Sequence, residues 1–557
     1  MALPTKLAVL AALLSALSLH DAYADKTTVC TITVNSPDEK ETFRRSLPPD
    51  RYQFVELVER GRPDWLASAC HEGIRCDVLL ISGHFDGGDE FYSDRVDARE
   101  SLPVSEMERV SCSDSCPGLF SQLKEVYLFG CNTLNPDALN SASDEIVRSF
   151  IRSGHSAADA AQLARVLGER HADSNRERMR EIFKDVPVIY GFSSKAPLGS
   201  SAASILERYF HSGASAEIGS GRQNGKLLAL FAPSSMTVAS GSTDLDSQAG
   251  YRRDMCQFAD DRLSPAAKLA FVHALLDRDM SEVRMFLDPI EKYAASLTDG
   301  DRQTASVSQA LESIAGDRAA RERYLAFVRD ADQPSVRARM IALAARLGWL
   351  TPPEKLAELT RMIQDQLGRS DIDGADVELV CALNADHSLD RVRDMLAVPG
   401  GKGNDVGRAA IFACLGSPAA RTRVIEALTS THEHSVAIAQ VYLRHHPIVD
   451  VDELRSIAQR IARMSDADGQ IRALDTLAQQ RVTDAESLES LTRLFRVAKS
   501  VNVQRAIAGV LIRADYQEIA RPELVRVLRE QRQKSPDGQD VIDVLIRRMQ
   551  ASLARAA

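Results

Sequence analysis

Aromatic residues are scarce in this chain of 557 residues, making up 5% of it with two tryptophans. Together with a second half dominated by Ala, Leu, Arg and Asp, that scarcity suits a helical array better than a β-sandwich. Excess positive charge is also missing. A formal net charge of −10 argues against a general nucleic-acid binder, which needs a basic face toward phosphate. After the first two dozen residues no apolar run approaches the roughly 20 residues that a membrane span requires. No Cys/His spacing matches a common zinc finger, and the acidic loop Asp86, Asp89, Glu90 and Asp94 lacks the spacing of an EF-hand. No metal and no cofactor is therefore expected.

What is present begins with an export signal. Lys6 precedes the apolar run Leu7 to Leu19, and Ala22-Tyr23-Ala24 places small residues where a signal peptidase reads, with cleavage expected before Asp25. The mature chain is expected in a bacterial periplasm or the medium. Nine cysteines are then read against an oxidising compartment, and the odd number leaves at least one unpaired or intermolecular. Cys112 and Cys116 flank a three-residue polar loop and are a possible disulfide; Cys70 and Cys76 bracket another short loop. Cys381 and Cys414 sit in apolar helical stretches and read as core thiols.

At this length roughly three to four domains or repeat units are expected. From residue 25 to about 245 strand patterns alternate with helical ones, which predicts an α/β domain with a mostly parallel sheet. Leu227 to Val238 reads as a last strand or hairpin. Residues 246–262 turn polar and read as a linker. Residues 263–557 show helix after helix with Pro, Gly or Asp between them, resembling HEAT-like repeats of irregular length, a plain helical bundle being the alternative. A repeat stack of that kind would offer a surface for a protein substrate or partner. Its oligomeric state is not readable.

Two buried-strand patterns end in reactive residues. Cys76-Asp-Val-Leu-Leu-Ile-Ser-Gly runs to His84, and Glu125-Val-Tyr-Leu-Phe-Gly runs to Cys131. In an open α/β sheet chemistry gathers at the carboxyl ends of strands. A thiol nucleophile needs a base and oxyanion donors. His84 is the one histidine of twelve that directly terminates a buried strand pattern; His71, His155, His171 and His211 read as surface residues. Asp86 is placed to orient His84, or is simply a solvated loop residue.

Hydrophobic strand, His and Gly-rich loop, then hydrophobic strand and Cys: this layout resembles the caspase-like cysteine peptidases. The closest likeness is to the CHAT-domain type, on the Cys131-Asn132-Thr133 context. The resemblance covers about Thr27 to Ser240. It implies His84 as general base and acid, Cys131 as the acylated nucleophile, and an oxyanion hole from the backbone N–H groups of Phe85 and Cys131. The family usually has Gly where this chain has Phe85, so a catalytically inactive scaffold acting as an interaction module stands as the second reading. The Arg-rich stretch holding Arg165, Arg170, Arg176, Arg178 and Arg180 occupies the interval where caspases are cut during maturation, which makes self-processing there an expectation.

Overall fold

The computed structural model describes residues 26–57, 66–85, 88–94, 100–112, 116, 118–137, 143–171, 174–396, 406–480, 482, 484–514, 520–533 and 540–556. The expected export signal lies outside the described residues. The chain divides into two compact units, Met1–Phe327 and Val328–Ala557.

The first unit is built on a six-stranded sheet. In chain order its elements are β1 (Thr27–Thr33), α1 (Asp38–Ser46), β2 (Tyr52–Glu56), α2 (Ala67–His71), β3 (Val78–Ser82), β4 (Glu90–Tyr92), β5 (Ser101–Pro103), α3 (Val104–Cys112), β6 (Glu125–Phe129), α4 (Ser143–Arg152), α5 (Ala157–Arg170), α6 (Asn175–Ile182), β7 (Val188–Phe192), α7 (Gly199–His211), α8 (Gly225–Phe231) and β8 (Met236–Ala239). The strand order is β2-β1-β3-β6-β7-β8. All neighbours are parallel except β7 and β8. Alternation along the strands sends side chains to two separate cores. Ile32, Leu79, Ile81, Val126, Leu128 and Ile189 pack with Met107, Met179 and Phe183 on one face. Val29, Val78, Leu80, Tyr127 and Tyr190 pack with Phe43, Leu206 and Phe231 on the other. β3, β6 and β7 are buried at every position, the mark of a parallel sheet covered on both faces.

Several expectations need correction. The cysteine pairing is Cys30–Cys76, Cys70–Cys116 and Cys112–Cys256, so neither Cys112–Cys116 nor Cys70–Cys76 forms. The loops suggested by proximity in sequence lost to proximity across packed elements: the Cα atoms of Cys112 and Cys256 are 5.0 Å apart across 144 residues. The stretch read as a linker contains a helix, α9 (Ala249–Ala259), packed on α3. Its polar composition hides an anchor, because Arg252 donates to the Glu181 carbonyl at 3.0 Å and to the Ser111 carbonyl and hydroxyl at 2.9 Å. Leu227 to Val238 does end in a last strand, β8, but its first part is the helix α8 rather than strand or hairpin, since the Asn224 side chain caps the Lys226 and Leu227 N–H groups. The first unit continues through α10 (Pro265–Leu276), α11 (Met280–Met285), α12 (Leu287–Ser296) and two further short helices.

Among the described residues the second unit is entirely helical, from Pro334–Arg346 to Val541–Ala556. Alternate helices pack on each other: Val451–Arg463 on Ala485–Val497, and Ala467–Ala478 on Val501–Leu511. Local signals account for the helices. Asp450, Asp466 and Asp484 cap three of them through side-chain bonds to first-turn N–H groups, and Pro stands in the first turn at Pro334, Pro352, Pro418 and Pro522. Cys381 and Cys414, expected as core thiols, are buried and joined as a disulfide between neighbouring helices whose Cα atoms stand 4.8 Å apart.

Candidate active site

β3 and β6 are sheet neighbours, with Ser82 opposite Phe129. His84 and Cys131 each stand two residues beyond that pair, on backbones that parallel pairing keeps about 4.8 Å apart. Gly83 N–H still donates to the Phe129 carbonyl at 3.1 Å, so the pairing persists to the residue before the histidine.

His84 is held from the backbone. Its N–H donates to the Tyr92 carbonyl and its carbonyl accepts from the Tyr92 N–H, both at 2.9 Å. The small β4–β5 ribbon that follows thus returns to fix the histidine, where the sequence suggested only a polar loop. The imidazole lies 5.4 Å from the Tyr92 ring, and its Nε2 is buried without a hydrogen-bond partner, 3.6 Å from Asp94 Oδ2. The carboxylate beside the imidazole is Asp94; Asp86 lies outside the described residues.

Cys131 follows Gly130, where a side chain would not fit. A Cβ there would stand 2.8 Å from Phe85 Cβ and 2.9 Å from the Gly83 carbonyl oxygen. The Phe85 ring is fully buried and packs 4.6 Å from Phe91. Phe85 and Gly130 are therefore matched: the Phe85 Cβ and the edge of the Phe91 ring occupy the space that a side chain at residue 130 would need. Beyond the sulfur the chain turns through Asn132 at φ +60°, a left-handed conformation that Asn tolerates better than most residues. The Asn132 N–H donates to the Ser194 carbonyl at 2.7 Å. The Thr133 hydroxyl donates to the Gly130 carbonyl at 3.1 Å and accepts from the Phe192 N–H at 3.0 Å. In Cys131-Asn132-Thr133 the first residue thus supplies the sulfur, the second the turn and the third a tie to β7.

Cys131 is the one free cysteine among the described residues and is partly exposed. The Ala196 N–H, in the loop after β7, donates to its Sγ at 3.4 Å, within the range of a hydrogen bond to sulfur. No sequence signal pointed to that loop. Nor did one point to Asn175, which is 3% exposed and opens α6. Its Nδ2 donates to the Asn132 carbonyl at 3.1 Å, while Oδ1 lies against Gly88 in the loop after His84. Asn175 thus touches both loops.

A third unforeseen group is Glu39, in the first turn of α1 just past the carboxyl end of β1. It is 3% exposed, and its Oε2 has no hydrogen-bond partner. Burial pushes its carboxyl up to about 7, only partly offset by its own amide and the nearby Ser82 hydroxyl. His171, read as a surface residue, is 4% exposed; its Nδ1 meets the Leu167 carbonyl at 2.8 Å, and burial lowers its basicity. The Arg-rich stretch is largely engaged in structure: Arg178 binds Glu108 at 2.8 Å, and Arg180 binds Asp246 at 3.1 Å.

No family model, curated protein or solved structure matches the chain.

Proposed function

We propose that this chain is an exported caspase-like thiol endopeptidase in which His84 takes the Cys131 proton and returns it to the leaving amine, while Cys131 carries the acyl group. The observation that carries the reading is positional. The one free cysteine among the described residues ends a buried strand beside the strand that ends in His84, with an amide N–H already directed at its sulfur. The backbone N–H groups of Phe85 and Cys131 are proposed as oxyanion donors, and burial of the Phe85 ring supports this by keeping that side chain out of the cleft. Four disulfides support export to an oxidising compartment. The alternate-helix packing of the second unit supports a HEAT-like array that recruits the protein substrate. No helix among the described residues is long and apolar enough to cross a membrane.

The test is native alkylation with a stoichiometric iodoacetamide reagent, followed by site mapping across pH. Cys131 is expected to react faster than a free thiol below pH 7, and His84→Ala is expected to abolish that advantage. Reaction no faster than a free thiol would sink the peptidase reading and leave the inactive interaction scaffold.

A further inference from the structure

A cavity of about 770 Å³ that the dyad does not use lies between α3 and α6 on one side and α9, α11 and α12 on the other. Its cations are committed. Arg178 Nε donates to Glu108 at 2.8 Å, Arg109 makes two bonds to Glu106 at 2.7 and 2.8 Å, and Arg284 Nε donates to Glu145 at 3.1 Å. Arg252 is spent on Ser111 and the Glu181 carbonyl, and Lys268 donates to the Phe258 carbonyl at 2.6 Å. Lys292 faces Asp89 at 3.9 Å.

One lining carboxyl is not committed. Glu181 is 8% exposed, and its Oε1 is buried with no hydrogen-bond partner. Burial holds this carboxyl well above the usual range, more strongly than nearby Arg252 lowers it. A buried acceptor without a donor is costly, and a cationic donor reaching it would supply the hydrogen bond and, as the carboxyl gives up its proton to solvent, pair with the resulting carboxylate. Tyr251, Phe258 and Tyr293 line the same space and offer ring faces to a cation and apolar surface to its body.

The cavity also joins the dyad through one short element. α6 begins at Asn175, which bonds the Asn132 carbonyl next to Cys131. One turn later Arg178 Nη1 donates to the Gly88 carbonyl, in the loop after His84, at 2.9 Å. The next turn carries Glu181 into the cavity lining. The helix is thus hydrogen-bonded both to the residue after Cys131 and to Gly88, four residues after His84.

We propose that this cavity binds a small organic cation, an amine or amidinium on an apolar body, with Glu181 as its anchor, and that occupancy is felt at Cys131 through α6. The second half rests on the dyad reading under Proposed function; the first half does not. Benzamidine is the probe, titrated calorimetrically into the full chain and into Cys131→Ala, Glu181→Gln and Met255→Trp variants. Saturable one-to-one binding is expected for the first two. Binding at least about tenfold weaker is expected for Glu181→Gln, which loses a charge-assisted contact, and for Met255→Trp, which puts a larger side chain into the cavity lining without removing a charged group. At saturation the iodoacetamide rate at Cys131 shifts by at least about twofold, a small population change on the usual scale of coupling. Absence of saturable binding overturns the proposal. So does binding retained by both cavity variants, which would place the cation elsewhere, or an alkylation rate unchanged at saturation. If Cys131 without benzamidine reacts only as a free thiol, the dyad reading fails while calorimetry still decides the cavity.

Discussion

The carboxyl edge of the sheet and the helical second unit differ in how their elements are specified. In the helical unit the helices follow local chemistry, with Asp caps, Pro in first turns and buried apolar faces. It too holds a buried imidazole nitrogen without a hydrogen bond, His446 Nε2, and a left-handed residue, His387. At the sheet edge such departures gather. Within a few residues of the strand ends, His84 Nε2 is buried without a hydrogen bond and has Asp94 3.6 Å away, the buried Glu39 carboxyl is pushed up to about 7, and Asn132 turns left-handed between two tied neighbours. Several such departures gathered at one strand edge are what a functional site leaves. The difference teaches where to look, and it gives each region its own way of failing.

The largest effect tests the edge directly. On the proposed reading, Cys131→Ala lowers peptide hydrolysis by roughly 10⁴-fold with no change in thermal transition, measured on a peptide library; a variant that still cleaves would move the chemistry elsewhere. Next in size is the buried acid. Glu39 sits at about 7 in the fold against an ordinary 4.5. Below pH 4.5 both folded and unfolded chains hold its proton and no penalty exists. As pH rises from 4.5 to 7 the unfolded chain gives the proton up first, so stability falls, by about 3 kcal/mol once pH exceeds 7. Glu39→Gln is expected to flatten that slope in urea titrations between pH 4.5 and 8; an unchanged slope refutes it.

A comparable effect is expected in the other unit, without the functional consequence. Replacing Cys381 and Cys414 together by Ala removes a link across 33 residues, worth about 3–4 kcal/mol. The helical unit should melt earlier while Cys131 alkylation stays at its original rate. Gly130→Ala should cost about 1–3 kcal/mol through the clash with Phe85 and the Gly83 carbonyl, and, unlike the disulfide variant, should also slow alkylation. Smallest is Asp484→Ala, which loses one helix cap for about 1 kcal/mol and should leave the edge untouched.

Much of the architecture was legible. β3, β6 and β7 announce themselves as short apolar runs closed by glycine or a polar turn, whereas adjacency of the His84 and Cys131 strands was only a condition of the dyad reading, one that the pairing of β3 with β6 meets. What escaped was long range or short in sequence. Disulfide partners are chosen by which elements pack, so Cys112 found Cys256 rather than Cys116. The β4–β5 ribbon has strands of three residues, too few to show a period. α9 is anchored by Arg252 rather than by a fully buried apolar stripe, so its composition looked like a tether. Ala196 contributes only an amide, and backbone groups leave no trace in residue type. Asn175 had a signal of sorts, an Asn after Ser at a helix start, but that signal speaks of capping rather than of a second loop 43 residues earlier.

The Cys112–Cys256 bond encloses Cys131, all of α6 and the Arg-rich stretch within one covalent ring. A peptide bond cut anywhere between those two cysteines opens the ring without releasing a piece. Maturation at the arginines would accordingly leave the apparent size on a non-reducing gel unchanged and yield two fragments only after thiol treatment. A chain so wired can be cut at the arginines and still keep β7, with the Ala196 amide that reaches the Cys131 sulfur, covalently joined to the segment that carries His84 and Cys131.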